Sequence, residues 1–113
     1  MTTEHPIVPE EQQLPGRRYT PAGIEVPAPS ARDVLYEVRD GVAWITLNRP
    51  MILNAADWSL ILHLGRALDR AEADADVRVV VLGGAGRAFC AGADLQSAQF
   101  YPKPDDLPDQ SMP

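Results

Sequence analysis

The chain has 113 residues, a formal charge of −6 and 45% hydrophobic residues, with one cysteine and eleven prolines. That length bounds it to one compact domain; lone Cys90 allows no intrachain disulfide and points to a reducing compartment. Without clustered Lys and Arg, nucleic acid is excluded as a partner held through counterion release. No apolar run approaches the ~18 residues of a membrane span, and the start, with Glu4, Glu10 and Glu11, lacks the apolar stretch of a secretory signal. A cytoplasmic location, without membrane contact, is expected.

All the prolines except Pro50 lie toward the ends. Pro6, Pro9, Pro15, Pro21, Pro27 and Pro29 precede residue 33, and Pro102, Pro104, Pro108 and Pro113 follow residue 100. Residues 1–32 therefore read as an extended or disordered arm, 33–100 as the foldable part and 101–113 as a Pro-rich tail. A core drawn from roughly 70 residues barely offsets chain entropy, so a partner surface or further sequence is expected.

Within the foldable part, Val34, Tyr36 and Val38 alternate with Leu35, Glu37 and Arg39, Asp40-Gly41 interrupts, and Val42 to Leu47 resumes the β-rich pattern. Asp-Gly accepts the positive φ of a type I′ turn, so a hairpin joined there is predicted. Arg49-Pro50 closes the second strand, because proline brings no N–H to a ladder and restricts the residue before it. Asp57 is placed to N-cap a helix running from about Trp58 to Ala73.

The helix carries two apolar stripes, Trp58, Ile61, Leu62 and Leu68 on one and Leu60, Leu64, Ala67 and Ala71 on the other, leaving Ser59, His63, Arg66 and Arg70 as a polar face. So wide an apolar arc implies contact on two sides. Arg78 to Leu82 is a short apolar run of the kind buried on both faces of a parallel sheet and reached by a helical crossover. Trp44 and Trp58 read as core residues. The fold class is α/β: a β-hairpin followed by β-α-β, with extended Pro-rich termini.

On such scaffolds function is mounted on the loop after an inner strand, here residues 83–94, where backbone N–H groups stay unpaired. Its glycines let backbone approach a ligand, and Ala91, Gly92 and Ala93 leave space for one. A thioester oxygen that gains negative charge could accept from such an N–H. A dinucleotide fingerprint does not fit: after Gly84-Ala85-Gly86 the third required glycine falls on Phe89, and no acidic residue ends a second strand ~20 positions later. Two scattered histidines and one cysteine make no metal site. Cys90 reads as a small buried apolar residue, His63 as a solvated one, and Asp94 as either a carboxylate favoured at a helix start or a functional acid.

Four segments carry a specific resemblance: Ile45-Thr46-Leu47-Asn48-Arg49-Pro50, Asn54-Ala55, the stretch from Ala71 to Leu82, and Gly84-Ala85-Gly86-Arg87-Ala88-Phe89-Cys90-Ala91-Gly92-Ala93-Asp94-Leu95. In order and spacing they resemble successive signatures of the enoyl-CoA hydratase/isomerase (crotonase) family. The resemblance implies the beginning of that family's spiral of β-β-α turns. It makes Ala93 the first oxyanion donor through its backbone N–H, and assigns Ile52, Leu53 and Ala55, with Gly92, Ala93, Asp94, Leu95 and Gln96, to the coenzyme A part of an acyl-CoA substrate. No covalent cofactor is implied. Homo-oligomerisation or pairing with a full-length relative is the expected macromolecular association.

Departures from the pattern matter. Met51 stands where many relatives carry Lys or Glu, and Ala56 replaces a common Leu. The family's second oxyanion glycine and its acid–base carboxylates belong to a downstream region that this sequence does not contain. One oxyanion donor contributes about 2.7–4 kcal/mol of the ~8–23 kcal/mol that enzymes supply. The expectation is thus an acyl-CoA-binding portion of a hydratase or isomerase with little or no activity alone, or a non-catalytic CoA-binding fragment that docks on a full-length relative.

Overall fold

The computed structural model describes residues 6–93. In the leading segment, β1 (Arg18–Tyr19) pairs antiparallel with β2 (Glu25–Val26), matching Arg18 to Val26. Short 3-10 turns occupy Glu10–Gln12 and Ala31–Asp33. This stretch, read as an extended or disordered arm, thus holds local pairing that its prolines do not announce. Strands of two residues are too short to leave a period in the sequence.

The hairpin forms where the alternation places it. β3 (Val34–Arg39) and β4 (Val42–Leu47) pair antiparallel from Val34↔Leu47 to Arg39↔Val42. Turn residues Asp40 and Gly41 have φ of +52° and +78°, as a type I′ turn requires. The helix α1 spans Trp58–Ala73, and the Asp57 carboxylate accepts from the Leu60 N–H at 2.8 Å, satisfying one orphan donor of the first turn. After α1, β5 (Val79–Gly84) joins β4 in parallel, giving the order β3-β4-β5.

Alternation decides which side chains α1 covers. Val34, Ile45 and Leu47 face it and meet Leu60 and Ala67 in one cluster, with Tyr36, Ala56, Leu64 and Cys90 partly buried at its margin. The Leu60, Leu64, Ala67, Ala71 stripe is the packed one, while Ile61 and Leu68 of the other stay exposed. Above the cluster, the Arg70 guanidinium stacks on Tyr36 at 4.4 Å from the ring centroid.

Two expectations are corrected here. The run Val79 to Leu82 is 38–53% exposed rather than buried on both faces, because β5 is the edge strand and α1 packs mainly over β3 and β4. Trp44 is not core: it lies between Ala43 and Ile45, so it points to the face away from α1, 37% exposed. There it is covered on one side by the Arg39 guanidinium, 5.0 Å from its ring. Among the described residues no helix is long and apolar enough to cross a membrane.

Candidate functional site

Parallel pairing of β4 and β5 means that the loops after both strands leave the same end of the sheet, the end at which open α/β folds hold ligands. The first loop follows Leu47. Pro50–Ile52 make one 3-10 turn with proline at its start, a position that needs no N–H. Leu53 and Asn54 then adopt φ of +56° and +55°, a left-handed conformation that costs a non-glycine residue of order 1–3 kcal/mol and persists only where surroundings impose it.

The surroundings that impose it centre on Asn54, which is fully buried. Its Oδ1 accepts from the Arg49 N–H at 2.7 Å, and its Nδ2 donates to the Ala85 and Ala88 carbonyls, both at 3.0 Å. These partners fix the carboxamide's orientation, since only the oxygen can face an N–H and only the nitrogen can face two carbonyls. One side chain therefore closes the first loop and grips the second. Gly84 makes room for the grip: a Cβ there would stand 2.5 Å from the Ala88 and Phe89 carbonyl oxygens and 2.8 Å from Asn54 Nδ2.

Backbone bonds complete the junction. Ala91 N–H donates to Leu53 O at 3.0 Å, Ala56 N–H donates to Gly92 O at 2.7 Å, and Ala56 and Ala93 form a parallel bridge. The second of these orients the peptide between Gly92 and Ala93. The described peptides are all trans, so with the Gly92 carbonyl directed at Ala56, the Ala93 N–H points the opposite way, off the first loop. Among the described residues that N–H has no hydrogen-bond partner, and Ala93 is exposed. Gly92 reaches this geometry with φ of +104°, which a side chain would strain.

The residues singled out from the sequence divide as follows. Ile52, Leu53 and Ala55 are half-buried on the first loop, Gly92 and Ala93 are exposed on the second, and the bonds above bring the two groups together. Asp94, Leu95 and Gln96 lie outside the described residues. Cys90 is half-buried against the core, its Sγ accepting from the Gly92 N–H at 3.4 Å, and His63 is half-buried rather than fully solvated.

Sequence reasoning assigned no role to Asn54 and none to a buried ion pair. Arg49, 1% exposed, places Nη1 2.8 Å from Asp33 Oδ2 and Nη2 2.7 Å from the Pro27 carbonyl, while its buried Nε has no hydrogen-bond partner among the described residues. Asp33 also accepts from the Ser30 N–H at 3.1 Å. This pair ties the leading segment to the start of the first loop. The Asn-Arg-Pro and Asn-Ala signatures were the available signal for Arg49 and Asn54; nothing marked Asp33.

A family model described as enoyl-CoA hydratase/isomerase matches residues 37–111. An enoyl-CoA hydratase of Mycobacterium tuberculosis is 39% identical over 82 residues, which is 73% of this chain and 31% of that protein. A probable enoyl-CoA hydratase of Rhodobacter capsulatus is 46% identical over 66 residues, 58% of this chain and 25% of the relative. Among solved structures, an enoyl-CoA hydratase/isomerase from Xanthobacter autotrophicus Py2 superposes with a TM-score of 0.57 at 49% identity, covering 57% of this chain and 24% of that one. A carnitinyl-CoA dehydratase from Mycobacterium avium 104 gives 0.57 at 46% identity, covering 65% and 28%. The chain thus spans 24–31% of the length of these relatives, and the expected α/β, crotonase-like fold holds over that part. With the family model matching more than half of its length and the backbone following the same path as these relatives, the chain belongs to the enoyl-CoA hydratase/isomerase family.

Proposed function

We propose that the chain binds an acyl-CoA thioester across its two loops, with the backbone of Ile52, Leu53 and Ala55 against the coenzyme A moiety and the Ala93 N–H donated to the thioester oxygen. The observation that carries this reading is the peptide between Gly92 and Ala93: its carbonyl is engaged by Ala56, which leaves the exposed Ala93 N–H turned outward and unpartnered among the described residues. A preorganised N–H of this kind stabilises the oxygen as charge develops on it, without reorganisation at the moment of reaction. Asp94, Leu95 and Gln96 extend the proposed contact by resemblance to the family. A cytoplasmic setting is part of the same proposal.

One backbone donor supplies only a small part of a hydratase's acceleration, so the proposal is of binding and oxyanion contact, and the 113-residue chain is expected to turn over a 2-enoyl-CoA slowly or not at all. An amide-resolved titration of the ¹⁵N-labelled chain tests the reading. Acetyl-CoA should shift the Ala93 resonance while free coenzyme A shifts the 52–55 loop alone, and a chain indifferent to both ligands sinks the assignment. A second reading, in which the chain docks on a full-length relative or on its own copies, is favoured by the exposed run Val79 to Leu82. Light scattering with and without such a relative distinguishes it.

A further inference from the structure

We infer that Asn54 is the positioning residue of this site, setting the Ala93 N–H by locking the two loops to each other; the inference rests on the acyl-CoA reading above. The three hydrogen bonds of its fully buried side chain reach across 5, 31 and 34 residues of sequence, the one to Arg49 buried and the two to Ala85 and Ala88 part-buried. Toward the first loop, Oδ1 holds the Arg49 N–H and stabilises the left-handed pair Leu53 and Asn54. That pair presents the Leu53 carbonyl to Ala91 N–H and leads the chain into Ala56, whose N–H holds the Gly92 carbonyl. Toward the second loop, Nδ2 draws in the carbonyls of Ala85 and Ala88, which bracket the turn before Phe89.

The Gly92–Ala93 peptide is therefore oriented from both sides through one carboxamide. If Nδ2 were lost, two carbonyls would face each other around an unfilled gap; if Oδ1 were lost, the buried Arg49 N–H would be unsatisfied. The Asn54 side chain is fully buried, so its effect passes through the backbone it holds.

Asn54→Asp tests this with little change of shape, because a carboxylate keeps the acceptor for Arg49 N–H and removes both donors to Ala85 and Ala88. In the full 113-residue chain, amide hydrogen exchange of Ala91 and Ala56 should quicken at least ~10-fold, while amides of β3, β4 and the middle of α1 keep their protection. The acetyl-CoA-specific shift of Ala93 should vanish, and the response of residues 52–55 to free coenzyme A should change less than ~3-fold. Lowering the pH until the introduced carboxyl protonates returns one donor, so part of the Ala93 response should return with it.

If the variant does not fold, the unsubstituted chain still decides the matter: the Nδ2 protons of Asn54 must exchange slowly, and more slowly with acetyl-CoA bound. Unchanged exchange at Ala91 and Ala56 together with an intact Ala93 response in Asn54→Asp, or fast Nδ2 exchange in the original chain, overturns the positioning role. Failure of the acyl-CoA reading looks different. There the unsubstituted chain gives no thioester-specific shift at Ala93, although exchange at Ala91 and Ala56 still depends on Asn54.

Discussion

Two regions of this small protein are held by opposite kinds of force. Where α1 covers β3 and β4, stability comes from apolar side chains, Val34, Ile45, Leu47, Leu60 and Ala67, that share one cluster. Where the loops after β4 and β5 meet, it comes from buried polar groups: Asn54 with three partners, and Arg49 between Asp33 and the Pro27 carbonyl. Apolar contact is non-directional and tolerates small shifts, whereas a buried hydrogen bond or ion pair fixes geometry and is costly when half of it is removed. A scaffold built on the first and a loop junction built on the second join a fixed loop backbone to a forgiving support.

Substitutions can break the contrast. The largest loss should come from Asp33→Ala, which leaves the Arg49 guanidinium buried without its counter-charge and should cost about 3–5 kcal/mol in urea unfolding. Replacing both partners together, Asp33→Leu with Arg49→Met, should recover most of that loss, because the cost arises from the unpaired charge. Leu60→Ala, in the apolar region, should cost about 2–5 kcal/mol by the same measurement without altering the exchange of Ala56 and Ala91 amides. If it loosens those amides as much as it lowers stability, the two regions are one cooperative unit and the contrast fails.

Smaller effects sharpen the boundary. Asp57→Ala removes the N-cap of α1 and should cost about 1 kcal/mol, most of which Asp57→Asn should spare. Trp44→Thr, on the sheet face turned away from α1, should cost less than about 1 kcal/mol in the 113-residue chain, since threonine suits a strand and the ring is already partly in water. A loss of several kcal/mol at Trp44 would show that a further surface covers that face in solution.

Much of the apolar region was legible before any coordinates. The alternation over 34–47, Asp-Gly at the turn, Asp57 before a helical stripe and a short β-branched run after it are local signals, and the elements form there, β5 running on through Gly83 and Gly84, which the sequence had assigned to the loop. What they did not give is burial: Trp44 and Val79 to Leu82 look like core in sequence, yet which faces are covered depends on what packs against them. The polar junction shows the same limit more sharply, since Asn54 was visible only as part of a signature and nothing marked Asp33.

The hairpin, α1, β5 and the family resemblance could be read from neighbouring residues, because periodicity, turn chemistry and motifs are local, whereas the two-residue strands β1 and β2 left no such trace. Folding alone makes Asn54 grip Ala85 and Ala88, brings Asp33 to Arg49 and turns the Ala93 N–H outward. The reason is directional: hydrogen bonds between residues 16 to 34 apart exist only once the sheet has brought the leading segment and the two loops together, and no local pattern encodes that meeting.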